Sequence, residues 1–450
     1  MRLREATWVS CFAALLAAGA SCGKLAEDPD PVPPGDGGLR SIIEGWEPFP
    51  DYDPACGFFI PHEPLPPLHW VPCVEGTTKL PGPEGAVCRR TAFDDGAELT
   101  HYLPIADALA DGRVVFLYSR MFGARTGNVV VEADGPVRQA ILQNGPCSLE
   151  GRDIREGNFV FRVRDVAGEL PGGAIGGSID APQPRVLRPK GASPEADHTF
   201  SIGARALLED SVVDRLYDLD TGTLLETFTA PRVGGGAAEV DWTRFRFQGP
   251  DLFWNALAYP RQAVNVRARE ADIRTLVDSV VVDADADAGS AMTVPMFFGT
   301  DGRDMVWLES TSTDGNWKNA NVELWTAAYT TDPGQLQVRK RRVRSEIPPD
   351  SSTFGWGRFV VGCGYAARAT ADASGARGGV RIVRLTDGFS WDLFSSMESG
   401  RIPDVAFGTA HAITCDEVFV DLVRAVRGST IHRSIARIRL DSLGPGNPPD

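Results

Sequence analysis

The chain has 450 residues, 43% of them hydrophobic, and 60 acidic against 45 basic side chains give a formal net charge of −15. This composition is sufficient for a normal hydrophobic core, and the acidic balance argues against nucleic acid and anionic lipid as partners. The counts of 48 glycines and 33 prolines indicate many turns between short strands.

Residues 1–21 are typical of a secretory signal peptide. Two arginines precede an apolar run that is too short to span a bilayer. Cleavage after Ala20 fits the small-x-small rule. Cleavage before Cys22 is the alternative, because Gly19-Ala20-Ser21-Cys22 resembles a bacterial lipobox, with Gly19 where that pattern prefers leucine.

The number of cysteines favours a lipid anchor at Cys22. The chain has eight cysteines, and Cys11 leaves with the leader. If Cys22 carries lipid, an even set remains, whereas a free Cys22 would leave an unpaired thiol. Residues 22–40, rich in Pro and Gly, suit a tether. Because Gly23 rather than Asp follows the cysteine, we expect an outer-membrane lipoprotein, with a periplasmic or secreted protein as the alternative.

Six further cysteines are disulfide candidates in an oxidising compartment. They are Cys56, Cys73, Cys88, Cys147, Cys363 and Cys415. Six cysteines allow fifteen pairings, and their spacing favours only a local Cys73–Cys88 pair. Cys363 and Cys415 are the two that remain in the C-terminal half. Zinc is disfavoured, since no C-x-x-C occurs.

Residues 41–110 are rich in proline and contain three cysteines. This composition predicts an irregular lead-in segment that disulfides pin to the main domain. The stretch ELTHYLPIADALAD, residues 98–111, is the best candidate for a short helix.

From residue 111 to residue 445, a strand–turn–strand pattern recurs seven times, mostly at intervals of roughly 40 to 55 residues. Examples are GRVVFLYSR followed by GNVVVEADG, and EVFVDLVRAV followed by HRSIARIRL. A four-stranded antiparallel sheet cannot bury both faces alone, and stacking such sheets in a ring buries them. We therefore predict an all-β propeller of seven blades, with six or eight as alternatives. A pair of β-sandwiches is the other fold considered.

The repeats resemble the exported WD40-like and TolB-like propellers. The resemblance is carried by strands that end in turns such as DLDTG (218–222) and LTDG (385–388), and it covers residues 111–445. No repeat carries the Gly-His together with the Trp-Asp of true WD40 repeats. The last repeat lacks an outer strand, and AVCRRTAF (86–93) could supply it and close the ring.

Two stretches are candidate ligand sites. DADADAG places Asp283, Asp285 and Asp287 at alternate positions, as in the start of a calcium loop. The sixth-position Gly and the closing Glu are missing, so an acidic surface loop is favoured and no other cofactor is expected. Trp317, in a loop, is a candidate ligand contact, whereas Trp307 and Trp325 lie in strand-like runs and suit the core.

A basic run, VRKRRVR at residues 338–344, stands out in this acidic chain. Charged side chains on an outermost strand discourage edge pairing between molecules, which is the favoured interpretation. An electrostatic contact with an acidic partner is the alternative.

The residues assign no catalytic group, because no histidine, serine or carboxylate lies in a recognisable catalytic motif. The favoured function is a non-catalytic binding or scaffold module at the cell envelope, with a carbohydrate-active or other hydrolytic propeller enzyme as the alternative. We expect an envelope protein or glycan as partner, a monomer, no nucleic acid, and membrane contact only through the lipid. An enzyme should gather carboxylates, or a histidine with carboxylates, at one end of the channel. Three convergent Asp or Glu side chains at the channel mouth would overturn the preference for a binding function. A binding module should expose an apolar patch.

Overall fold

The computed structural model describes the chain in segments. These are residues 45–49, 56–65, 67–73, 86–92, 105–109, 111–122, 125–143, 145–165, 173–181, 183–188, 198–202, 204–209, 214–228, 232–233, 238–239, 246–248, 251–258, 262–269, 277–282, 292–312, 321–330, 339–346, 359–371, 378–394, 405–426 and 430–449. Among these residues, no helix is both long and apolar enough to cross a membrane.

The described secondary structure consists mainly of short strands. The first twelve are β1 (Trp46–Pro48), β2 (Phe58–Pro61), β3 (His69–Pro72), β4 (Cys88–Ala92), β5 (Ile105–Ala108), β6 (Val114–Phe122), β7 (Arg125–Glu132), β8 (Val137–Gln143), β9 (Cys147–Arg155), β10 (Asn158–Asp165), β11 (Ala174–Ser178) and β12 (Arg185–Arg188). The next ten are β13 (His198–Ile202), β14 (Arg205–Glu209), β15 (Asp214–Asp218), β16 (Leu224–Phe228), β17 (Arg232–Val233), β18 (Ala238–Glu239), β19 (Arg246–Gln248), β20 (Asp251–Ala258), β21 (Gln262–Arg269) and β22 (Val277–Val282). The last eleven are β23 (Met292–Thr300), β24 (Asp304–Ser312), β25 (Asn321–Ala328), β26 (Arg341–Glu346), β27 (Val360–Gly362), β28 (Tyr365–Ala371), β29 (Gly378–Arg384), β30 (Ser390–Phe394), β31 (Val405–Ile413), β32 (Glu417–Val426) and β33 (Thr430–Arg439), followed by a 3₁₀ turn at Leu440–Ser442.

Within the described residues, seven antiparallel sheets contain four or more strands. Sheet 1 is β5–β8 extended by β2 and β1, sheets 2 and 3 are β9–β12 and β13–β16, sheets 4 to 6 are β19–β22, β23–β26 and β27–β30, and sheet 7 is β31–β33 extended by β4 and β3. The strands β17 and β18 form a small separate hairpin.

The first strands of the sheets contact one another around a common centre. β5 contacts both β9 and β31, β9 contacts β13, and β23 contacts β19 and β27. The contact between β31 and β5 joins the last sheet to the first, as a ring requires. An all-β propeller is therefore confirmed, and the blade count of seven stays a prediction.

The N-terminal segment supplies the outer strand of the last sheet. β4 pairs antiparallel with β33, in the register Ala436↔Arg90 and Ile438↔Cys88. The predicted closing strand within residues 86–93 is thus confirmed. Pairing both ends of the chain in one sheet makes the ring close through hydrogen bonds as well as packing.

Most apolar clusters of the described residues join two neighbouring sheets. Val115 and Leu117 of sheet 1 pack with Phe159 and Phe161 of sheet 2. A similar cluster joins sheet 6 to sheet 7. Because strands such as β6 are covered on both faces, residues 114–119 are buried continuously and do not alternate.

Three disulfides tie the segments together. Cys56 bonds Cys147, Cys73 bonds Cys88, and Cys363 bonds Cys415. Cys73–Cys88 fixes the hairpin that carries the closing strand, and it is the local pair that the spacing favours. Disulfides of this kind indicate an oxidising compartment outside the cytoplasm.

The predicted helix over residues 98–111 is wrong where the structure describes it. Ile105–Ala108 form β5, which pairs with β6 in the register Ile105↔Leu117. Alanine and leucine favour helix locally, but pairing with a long apolar strand overrides such small preferences.

Candidate functional site

A cavity of about 1330 Å³ opens where the first strands of the sheets end. Six of these strands contribute lining residues at or near their C-terminal ends, in β5, β9, β13, β23, β27 and β31. The first strands run in one direction, so the turns that follow them meet at one face of the ring. We call this cavity the channel mouth.

Several of these turns share a short pattern, an acidic residue or cysteine followed by glycine. They are Asp111-Gly112, Glu156-Gly157, Asp301-Gly302 and Cys363-Gly364. Each glycine has a positive φ, between 76° and 89°. A side chain at that conformation is strained, so glycine permits the tight turn and leaves the preceding side chain at the mouth.

Glycine also allows the first strands to approach each other closely. A Cβ on Gly362 would lie 2.5 Å from the carbonyl oxygen of Ile413, and one on Gly299 would lie 2.6 Å from that of Phe359. The backbones of β27 and β31 therefore meet at the mouth without intervening side chains.

The lining of the mouth is strongly acidic. Eight carboxylates face two guanidinium groups, those of Arg113 and Arg155. The carboxylates belong to Asp107, Asp111, Glu132, Asp134, Glu156, Asp301, Asp416 and Glu417. A concave surface lined by one sign of charge concentrates the field and attracts ions of opposite sign.

Arginines of the protein hold some of these carboxylates. Arg113 contacts Asp111 at 2.7 Å and Asp180 through two bonds of 3.1 and 3.2 Å. Hydrogen bonds from the backbone and guanidinium of Arg113 lower the pKa of Asp111. Arg138 donates to Glu132 at 2.8 Å. These hydrogen bonds orient the carboxylates, and that of Asp111 stays ionised.

On the wall formed by sheet 7, fewer of the carboxylates are paired with arginine. Arg437 pairs with Asp134 and lies 3.7 Å from Glu417. Burial raises the pKa of Glu417; Arg437 opposes this rise, whereas Asp134 and Asp416 add to it. Among the described residues, Asp416 and Asp301 have no Lys or Arg nitrogen within 4.0 Å.

A buried histidine lies in the same wall. His411 Nε2 is 2.7 Å from Asp421 Oδ1, and the two side chains are 8% and 3% exposed. The pairing of β31 with β32 is irregular between Ala410 and Ala412, which turns His411 onto Asp421. His411 also lines the mouth.

Strained backbone concentrates at the mouth. Among the described residues, the non-glycine positions with positive φ are Asp134, Glu156 and Cys363, at 57°, 49° and 49°. All three line the cavity. Each conformation costs about 1 kcal/mol or more. The disulfide to Cys415 fixes Cys363 in its turn.

The structure brings only some of the predicted site residues to this place. Cys363 and Cys415 lie at the mouth, whereas the other four disulfide cysteines are buried elsewhere. The candidates Cys22, Asp283, Asp285, Asp287 and Trp317 lie outside the described residues. Within the described segments, no group of three His, Cys, Asp or Glu is placed to hold a metal.

The tryptophan positions agree with the predicted core. Trp307 is fully buried, and Trp325 packs partly buried against its cluster. Trp325 also carries the ammonium of Lys340 over its ring, at 4.7 Å from the centroid.

The described part of the basic run makes several contacts within the protein. It does reach the outermost strand of sheet 5, β26. Its side chains are, however, used inside the protein: Arg344 donates to the carbonyl of Gly388 and approaches Glu346, and Arg342 pairs with Glu323. The run thus fastens sheet 5 to sheet 6, in addition to any protection of the strand edge.

The features expected of an enzyme and of a binding module are both partly present. Carboxylates gather at one end of the channel, and a histidine–carboxylate pair lies among them. Asp134, Asp416 and Glu417 are near enough to interact electrostatically. Yet Arg437 is inserted among them, and Asp134 and Glu132 are paired with arginine. The lining of the mouth is mainly acidic, with apolar residues on part of it.

The acidic mouth is not predicted by any single motif, because its acidic residues form a pattern only when equivalent positions of the repeats are compared. The signal is present as DGR at residues 111–113 and 301–303, and as EGN at residues 156–158, each directly before an apolar strand. Aligning the seven repeats on these strands would have placed an acidic side chain at equivalent turns.

Comparison with known proteins finds no matching family model and no matching curated protein. Similar solved structures exist. An oligogalacturonate lyase from Vibrio parahaemolyticus is 12% identical with a TM-score of 0.40, over 83% of this chain and 97% of the lyase. The WD40 domain of SCAP from fission yeast is 10% identical with a TM-score of 0.36, over 83% and 98%. The β-propeller domain of the Trilobed protease from Pyrococcus furiosus is 10% identical with a TM-score of 0.38, over 78% and 100%.

Proposed function

We propose that this protein is a non-catalytic binding module of the bacterial cell envelope that receives its partner at the channel mouth. The observation that carries the proposal is the convergence of strand ends from six sheets, and of the turns that follow five of them, on one open cavity of about 1330 Å³. A rigid ring holds these turns in place, and turns on a rigid scaffold are where binding residues concentrate. The strained conformations of Glu156 and Cys363 at the mouth are further support.

The proposed location is the outer membrane, through a lipid on Cys22. The three disulfides support an oxidising compartment, and the sequence Gly19–Cys22 resembles a lipobox. With residues 22–40 as a tether, the ring would stand away from the membrane surface as a monomer. An envelope protein is the favoured partner, with a glycan as the alternative.

Catalysis is the second candidate function, and one observation favours it. His411, held by Asp421 at 2.7 Å, has the arrangement of an oriented general base, and Glu417, which lines the same cavity, has a raised pKa. A hydrolytic enzyme acting on glycans could use such groups as base and acid.

Photo-crosslinking in native envelopes tests the binding function. A benzophenone amino acid placed at Glu156 in the mouth should capture one partner reproducibly. The matched control carries it at Asp220, which is exposed on sheet 3 and outside the cavity. Capture from Asp220 alone, or from neither position, would contradict binding at the mouth.

The anchor and the catalytic alternative need separate measurements. Cys22→Ser should abolish incorporation of labelled palmitate and release the protein from the membrane fraction. Turnover of envelope glycan fragments by wild type, lost in His411→Asn, would place the enzyme function ahead of the binding function.

A further inference from the structure

The channel mouth has more negative charge than the protein itself neutralises. Two arginines line it, and Arg138 and Arg437 reach lining carboxylates from outside. Counting all four guanidinium groups against the eight lining carboxylates still leaves four negative charges in excess. Arg155 is in addition paired with Asp153, which does not line the cavity.

His411 adds a ring nitrogen that is open to the cavity. Its side chain is more than nine-tenths buried, and a carboxylate such as Asp421 can only accept, so the proton lies on Nε2. In the neutral imidazole, the other ring nitrogen, Nδ1, is an acceptor. Among the described residues it has no hydrogen-bond partner. Nδ1 is therefore open to the cavity, where a ligand or a water molecule can donate to it.

Apolar surface lies beside these polar groups. Ala412, Ile413 and Phe419 line the same wall as His411 and Glu417, and Val361 of sheet 6 also lines the cavity. Long basic side chains place their methylene groups on such apolar surface while the charged end reaches polar partners. The wall therefore offers apolar contacts for the stem of a lysine or arginine side chain and polar partners for its charged end.

We infer that the ligand at the mouth is a basic peptide segment of a partner protein, whose lysine or arginine side chains extend along this wall. This inference rests on the proposed binding function. The cationic head donates to His411 Nδ1 and to Glu417 or Asp416, while its stem contacts Phe419. A neutral glycan offers hydroxyl donors but leaves the four excess charges unbalanced. The cavity of 1330 Å³ also exceeds the roughly 300–1,000 Å³ that suits small ligands.

Fluorescence anisotropy with short labelled peptides tests the inference on the purified protein. The probes are acetylated, amidated pentalysine, pentaglutamate and pentaserine, with spermidine as a competitor. The mouth variant Asp301→Asn/Asp416→Asn/Glu417→Gln removes three carboxylates, and Asp220→Asn is the matched control outside the cavity.

Pentalysine should bind wild type, and pentaglutamate and pentaserine should not. The triple variant should weaken pentalysine about tenfold at low salt, because three partly exposed charge contacts contribute roughly 0.5 kcal/mol each. Asp220→Asn should change the affinity less than twofold. His411→Asn should weaken binding further, and if that variant does not fold, the triple variant decides.

Four results would overturn the inference. Equal pentalysine binding by wild type and the triple variant would assign the attraction to the acidic surface in general. Mouth-dependent binding of pentaserine or pentaglutamate would reject a basic ligand and leave the binding function standing. Tighter binding of spermidine than of pentalysine would assign the site to a small polyamine. Absence of any peptide binding would reject the inference, while capture from Glu156 in native envelopes would still support the binding function.

Discussion

Replacing Glu346 with glutamine should destabilise the protein strongly, because this carboxylate joins two sheets inside the ring. Glu346 ends the outermost strand of sheet 5 and is fully buried. Its Oε2 lies 2.5 Å from Arg368 and 3.1 Å from Arg381, both in sheet 6, and these arginine side chains are 2% and 6% exposed. Arg344 lies 3.4 Å from the other oxygen.

The size of the effect follows from burial. Removing one partner of a buried ion pair leaves an uncompensated buried charge and costs about 3–5 kcal/mol. In Glu346→Gln, Arg368 loses its carboxylate, whereas Arg381 keeps Asp392 at 2.6 Å. The matched control is Glu323→Gln in the same sheet. Glu323 pairs with Arg342 at 2.7 Å, but Arg342 is 42% exposed, so the cost should stay below about 1 kcal/mol.

The dependence on pH gives a second test of the same network. Burial alone would raise the pKa of Glu346, but Arg368, Arg381 and Arg344 outweigh it and lower that pKa. A lowered folded-state pKa stabilises the fold above the unfolded value of about 4.3, and the contribution is lost as pH falls through the folded value. The difference between wild type and Glu346→Gln should therefore be full at pH 7 and shrink below about pH 4.

Urea unfolding followed by tryptophan fluorescence measures both effects at pH 7 and pH 3.5. We expect Glu346→Gln to lose several times more free energy of unfolding than Glu323→Gln at pH 7. Equal losses in the two variants, or a loss for Glu346→Gln that does not change with pH, would refute the reasoning that burial makes this ion pair important.

Three other substitutions have defined outcomes. In urea unfolding, the difference in stability between Glu417→Gln and wild type should shift in favour of the variant as pH rises from 4 to neutral. Burial raises the pKa of Glu417, so the stabilising contribution of this carboxyl group in wild type is lost as pH rises. The double variant Cys363→Ser/Cys415→Ser should lose about 4 kcal/mol of unfolding free energy in the same assay, because the disulfide joins residues that are 52 apart in sequence. Addition of dithiothreitol should affect this variant less than it affects wild type. Tyr118→Phe should cost about 1–2 kcal/mol of unfolding free energy, because its buried hydroxyl accepts the N–H of Ile435 at 2.9 Å, and no change would show that this bond is unimportant.

Much of the fold could be predicted from local sequence signals. Alternating and continuous apolar runs between Gly-containing turns marked the strands, and the incomplete last repeat correctly indicated that Cys88–Ala92 would complete its sheet. The helix prediction is wrong at Ile105–Ala108 because the local preference of its alanines for helix is outweighed by the pairing of this segment with β6. Glu346 gave no local signal at all, since Arg368 and Arg381 are distant in sequence and only the stacking of sheets 5 and 6 brings them together.

The acidic lining of the channel mouth is likewise not visible in any single stretch of the sequence. No single turn among Asp111, Glu156, Asp301 and Asp416 is informative, because acidic residues are common in surface turns. In a ring of similar sheets, however, each first strand ends at the same face, so one position repeated along the chain becomes a circle in space. In such a chain, the position that recurs in each sheet therefore says more about the mouth than any single residue does. The acidic surplus at the mouth emerges only when the turns of all sheets are considered together.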